Sequence, residues 1–118
     1  MKHLFIAALC LAGFMQVVAQ EPLKDWANFG RYKEANAAVQ QPVKAVFMGN
    51  SITDGWPAAD PDFFTKNGYV GRGIGGQVSA QMLMRFRQDV INLKPQAVVI
   101  LAGTNDLAHN DYAVTPEQ

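Results

Sequence analysis

The chain predicts an α/β domain built around a parallel sheet. Two apolar runs, "KAVFMG" at 44–49 and "AVVILAG" at 97–103, read as buried strands, and "YVGRGIGG" at 69–76 reads as a brief strand running into glycines. Helical patterns separate these runs. Strand and helix in alternation imply crossover connections, hence parallel pairing with right-handed crossovers.

Each element has its own reason. "LKDWANFGRYKEANAAV", 23–39, spaces Leu23, Trp26, Phe29 (or Ala27), Tyr32 and Val39 roughly as a helix does, with Gly30 as an interruption. Pro42 disfavours helix at Gln41 and so ends that segment. From Trp56 to Gly68 the chain holds Pro57, Pro61, several Asp and an Asn-Gly pair, which predicts a loop with one short helical turn. "QVSAQMLMRFRQDVINL", 77–93, places Met82, Phe86, Val90 and Leu93 on one face of an amphipathic helix, with Met84 near the core as well. Lys94-Pro95 stops it. The run "AVVIL" is β-branched and apolar throughout, as a parallel strand covered on both faces should be.

Bulk properties exclude several function classes. The 118 residues allow one domain, and ten Lys and Arg balance ten Asp and Glu with no basic run, so nothing points to nucleic acid. "MKHLFIAALCLAGFMQVVAQ" has Lys2 ahead of an apolar stretch, then Val17 and Ala19 at the −3 and −1 positions of a secretory cleavage site. The apolar run is shorter than the roughly 20 residues of a spanning helix. The expectation is a signal peptide over 1–19, a mature segment over 20–118, and a secreted or periplasmic location with no stable membrane anchor after cleavage. Leu9 stands where lipoprotein processing wants a small residue, which weakens a lipidation reading of Cys10. Cys10 leaves with the signal, so the mature chain has neither disulfide nor thiolate chemistry. No His, Cys, Asp and Glu cluster has metal-ligand spacing, and neither metal nor cofactor is expected.

In open parallel sheets the binding crevice lies beyond the carboxyl ends of the strands. Here those ends carry Gly49-Asn50-Ser51, Gly75-Gly76 and Gly103-Thr104-Asn105-Asp106. A hydroxyl, a backbone N–H unshielded by any side chain, and a carboxamide would meet at one place. That set suits acyl transfer, with Ser51 as nucleophile and Gly76 and Asn105 as donors to the oxyanion of a tetrahedral intermediate. Gly76 also precedes a helix start near Ser79, where the helix dipole is positive. The alternative for Ser51 is a turn or cap residue.

"GNSITDGW", "GRGIGGQVSAQMLMRF" and "LAGTNDLA" resemble, in order, blocks I, II and III of the SGNH hydrolase (GDSL esterase/lipase) superfamily. The likeness covers nearly all of 43–110. It implies a flavodoxin-like three-layer α/β/α sandwich, with Ser51 as nucleophile and the Ser51 N–H, Gly76 and Asn105 as the oxyanion hole. It leans toward small acyl groups, such as acetyl esters on carbohydrates. Block I usually reads Gly-Asp-Ser, and Asn50 stands here for the Asp; a neutral amide keeps the turn and removes a charge beside the nucleophile. The family's C-terminal Asp-x-x-His block has no counterpart before "VTPEQ", so the chain reads as the N-terminal part of a longer, C-terminally truncated esterase.

The base is then the open question. "DLAH", 106–109, spells Asp-x-x-His, but it shares a short loop with Asn105. One tight turn cannot readily face both the carbonyl oxygen and the far side of the Ser51 hydroxyl, so His109 reads as a loop histidine. Flavodoxin-like order would set the second, first and third strands side by side and leave "AVVIL" an apolar edge, so the isolated chain is expected to fold poorly and turn over little ester.

Other readings compete. Gly71-x-Gly73-x-x-Gly76 matches a dinucleotide fingerprint, but Asp89, at roughly the acid's spacing, falls within a helix. A non-catalytic binding module of the same fold is the other rival. Asp54 reads as an Asx-turn or cap residue ahead of a catalytic acid. Trp56 lines an acyl or sugar pocket or packs over its loop, and Arg72 is solvated or structural by default, with the site rim as its alternative.

Overall fold

The structure, a computed structural model, describes residues 24–109. The expected signal peptide and the C-terminal "VTPEQ" lie outside the described residues. Three strands, β1 (Ala45–Gly49), β2 (Tyr69–Gly73) and β3 (Ala97–Leu101), form a parallel sheet in the order β2-β1-β3. Helices α1 (Lys33–Ala37), α2 (Ser51–Ala59), α3 (Pro61–Thr65), α4 (Ser79–Asp89) and α5 (Thr104–Leu107) surround it.

The central strand shows why the layers form. Side chains alternate across a strand, so Val46 and Met48 face one way and Ala45 and Phe47 the other. Val46 and Met48 join Val43, Met82, Val90 and Leu93 in one core, under α4. Ala45 and Phe47 join Phe64 in a second, flanked by Trp56, Phe63 and Tyr69. Every residue of β1 is buried, as a strand covered on both faces requires. The second core is largely aromatic: Trp56 stacks on Phe63 at 4.9 Å, and Phe47 meets Phe64 edge-on at 5.4 Å. Trp56 therefore packs, the plainer of its two expected roles.

Four expectations need correction. The helix expected over 23–39 shrinks to α1, because the preceding backbone bonds elsewhere. Asp25 accepts from the N–H groups of Phe29 and Gly30, Asn28 turns left-handed at φ 56°, and glutamine amides of α4 and its entry take the carbonyls. Gln81 donates to Trp26, Gln77 to Ala27 and Gln88 to Phe29. With its polar groups satisfied this way, the segment gains nothing from coiling.

The loop expected from Trp56 to Gly68 instead holds the end of α2 and all of α3. Asp60 caps α3 by accepting from Phe63 N–H at 3.2 Å, and Pro61 follows in the first turn, where a missing N–H costs nothing. Pro57 stays inside α2 with its ring against β2; a Cβ added at Gly71 would lie 2.5 Å from Pro57 Cγ. Met84, expected near the core, is 51% exposed, while Arg85 and Asp89 on the same helix are fully buried. The run "AVVIL", expected to be covered on both faces, is exposed throughout.

Among the described residues no helix is long and apolar enough to cross a membrane.

Candidate active site

The parallel register brings the three strand ends level, with Gly49 opposite Gly73 on one side and Leu101 on the other. The connection leaving each strand end is short, so the groups expected from the sequence stay close together. Ser51 opens α2 two residues beyond β1, Gly76 turns three residues beyond β2, and Asn105 sits in α5 just beyond β3.

Ser51 is exposed, at the amino end of a nine-residue helix. Asn50 before it is buried at 4% exposure and forms the N-cap residue without a side-chain cap. A methyl group placed on Gly75 would touch Ser51 Cβ at 3.8 Å, so the glycine turn lies against the serine. Gly76 has φ 77°, a left-handed conformation that glycine adopts without penalty. On the turn's other side, Asn105 Nδ2 donates to the Gln77 carbonyl at 2.9 Å. Gly76 is thus flanked by a residue that meets Ser51 and a residue held by Asn105. The three predicted site residues come together at the carboxyl end of the sheet.

The amino ends of α2 and α4 both open here, and each contributes the positive end of its dipole. Asp106 answers the α4 end: its carboxylate accepts from Ser79 N–H at 3.0 Å and Ser79 Oγ at 2.5 Å. The Asp106 carboxylate is taken by Ser79, His109 is exposed at φ 55°, and its side chain bonds neither Asp106 nor Ser51.

Several supporting groups were not foreseen. Asp54, expected as a turn or cap residue, instead reaches across from α2: it accepts from Gly75 N–H at 2.9 Å and pairs with Arg31 at 2.7 Å. Its one visible signal was its place a helical turn beyond Ser51. Arg85, fully buried, pairs with Asp89 at 3.1 Å and donates to Gln77 Oε1 at 2.6 Å and the Arg72 carbonyl at 2.9 Å. Burial pulls its pKa down, and the Asp89 carboxylate partly restores it. The i, i+4 spacing of Arg85 and Asp89 was legible, but their burial was not. Arg72 takes the structural half of its default reading and not the solvated half: buried at 5% exposure, it donates to Asn36 Oδ1 and the Gly71 carbonyl, both at 2.7 Å.

The dinucleotide-like glycines have a packing explanation. Gly71 and Gly73 lie within β2, and a Cβ at Gly73 would lie 2.1 Å from the Asp54 backbone nitrogen. They are bare because α2 crosses directly over them. Among the described residues no cluster of metal-ligating side chains occurs.

The family model described as the GDSL-like lipase/acylhydrolase family matches residues 47–118. A solved structure from Bacteroides fragilis, described as an acylhydrolase, is 57% identical with a TM-score of 0.75, over 80% of this chain and 47% of its own. A GDSL-like lipase structure from Bacteroides thetaiotaomicron is 58% identical with a TM-score of 0.73, over 77% of this chain and 46% of its own. The chain thus spans about half the length of these structures. No curated protein matches it. With a parallel α/β sheet, three level strand ends and a match over more than half its residues, the chain belongs to the GDSL-like lipase/acylhydrolase family.

Proposed function

We propose that this chain is the nucleophile-bearing portion of a serine ester hydrolase. Ser51 Oγ attacks the ester carbonyl, and the Ser51 N–H, the Gly76 N–H and Asn105 Nδ2 stabilise the oxyanion that forms. The observation that carries the reading is the seating of the Gly75-Gly76 turn between Ser51 and Asn105 at the amino ends of α2 and α4. Donors fixed in advance around a developing charge are a large source of rate in acyl transfer. The general base comes from the family's C-terminal Asp-x-x-His block in the longer protein, since the Asp106 carboxylate is committed to Ser79. The substrates proposed are esters of small acyl groups, acetyl above all, on small molecules or carbohydrates. The leader-like N-terminus supports export, to the periplasm or outside the cell.

The test is a pair of variants in the full-length protein, assayed on p-nitrophenyl esters of two to eight carbons. Ser51→Ala should abolish both turnover and labelling by a serine-directed phosphonate, and Asn105→Ala should lower kcat about 10²–10³-fold. Full activity in Ser51→Ala would remove the esterase reading. A wild-type protein that neither labels nor turns over any ester would favour a binding module of the same fold.

A further inference from the structure

We propose that Asp54 is a positioning residue for the oxyanion hole, and that Arg31 holds it in place. The inference rests on the esterase reading of Ser51 and Gly76. A donor contributes to transition-state stabilisation only if its N–H is aimed before charge develops. The Gly76 N–H belongs to the peptide joining Gly75 to Gly76, so its direction depends on how the turn is anchored on either side. Downstream, the anchor is Asn105 on the Gln77 carbonyl at 2.9 Å. Upstream, Ile74 N–H bonds the Gly49 carbonyl at 3.0 Å, and the Gly75 N–H bonds Asp54 Oδ2 at 2.9 Å. Glycines have the widest conformational freedom of any residue, so two in succession need external restraint to keep one peptide plane.

Asp54 is well placed to supply that restraint. It lies one turn beyond Ser51 on α2, so its bond to Gly75 ties the turn to the helix that carries the hydroxyl. Movement of one is then movement of both. A charged acceptor makes a shorter and stronger hydrogen bond than a neutral one. Its second oxygen, Oδ1, is held by Arg31 Nη2 at 2.7 Å, and that hydrogen bond raises the Arg31 pKa. Arg31 lies in the 24–39 segment, ahead of the residues matched by the family model. The adjoining Tyr32 hydroxyl donates to the Gly73 carbonyl, directly before the turn. The segment preceding the matched region thus braces the proposed oxyanion donor through two consecutive side chains.

The test compares Asp54→Ala, Asp54→Asn and Arg31→Ala in the full-length protein, with Ser51→Ala as reference. Each is measured for kcat and KM on p-nitrophenyl acetate and for thermal midpoint. Asp54→Ala should lower kcat about 10- to 100-fold with KM within about 2-fold, because the lost interaction serves the transition state. Asp54→Asn keeps an acceptor for Gly75 and should recover most of that loss. Arg31→Ala, at an exposed position, should lower kcat a few-fold at unchanged KM. Should Asp54→Ala fail to fold, Asp54→Asn and Arg31→Ala still decide. Unchanged kcat in folded Asp54→Ala and Arg31→Ala would overturn the proposal, as would an Asp54→Asn variant no better than the alanine. If Ser51→Ala stays active, the esterase reading itself fails, an outcome separate from these.

Discussion

The two edges of the sheet are finished in opposite ways. At the β2 edge, side chains take the outward backbone groups: the Tyr32 hydroxyl donates to the Gly73 carbonyl and Arg72 Nη1 to the Gly71 carbonyl. Arg72 is held in turn by Asn36, and Asn36 by Asp89 at 2.7 Å, so the closure is tied into the buried Arg85–Asp89 pair. The guanidinium of Arg72 also lies 4.7 Å from the centre of the Tyr32 ring, within cation–π range. At the β3 edge, Val98, Val99, Ile100 and Leu101 are 38–58% exposed. Beside them Met48, Met82, Leu83, Phe86 and Ile100 line an apolar groove of about 270 Å³. One edge is closed by Tyr32 and Arg72, whereas among the described residues the other presents apolar side chains and no strand beyond β3. An unpaired apolar edge is a template for further strand pairing.

The sharpest way to break the comparison is to put a charge on the open edge. Residues 20–118 alone should aggregate during size-exclusion chromatography, and Val99→Lys should shift them toward monomer. In the full-length protein the same change should destabilise by more than about 3 kcal/mol if residues outside 24–109 cover this edge and bury the lysine. A monodisperse fragment and an indifferent full-length protein would together show that this edge needs no cover.

On the closed edge the deepest element should matter most. Asp89→Ala leaves the buried Arg85 charge without its partner and should cost about 3–5 kcal/mol. In a domain of 150–250 residues that is a fall in melting temperature of at least about 6 °C. A loss under about 1 kcal/mol would mean that the Gln77, Gly49 and Arg72 oxygens suffice for the guanidinium.

Tyr32→Phe should have the smallest effect, about 0.5–1.5 kcal/mol for one neutral hydrogen bond. It should also change the alkaline limb. Burial, the main cause, raises the Tyr32 pKa above its ordinary 10.0, so the fold favours the neutral phenol. That contribution is fully present below the unfolded pKa and is lost as pH rises through the higher folded value. Stability of the wild type should therefore fall more steeply above about pH 10 than that of Tyr32→Phe, as denaturant titrations can show.

The chain alone determined the strands, their order, the amphipathic face of α4 and the three strand-end groups. The order rests on the fold that the family resemblance implies, and the rest on local periodicity and on a topological rule that places the crevice beyond the strand termini. It also carried a signal that went unread, the Asp60-Pro61 start of α3, outweighed by the neighbouring prolines. What only the tertiary structure decided was the use of polar side chains. The glutamine amides that uncoil 24–32 and the turn of Asp54 toward Gly75 depend on partners 21 to 59 residues away, and the buried Arg85 also reaches carbonyls 13 and 36 residues away. A hydrophobic pattern is written along the chain because each apolar residue needs only some interior to enter. A polar side chain needs a particular partner at hydrogen-bond distance, and that pairing exists only once the elements have packed.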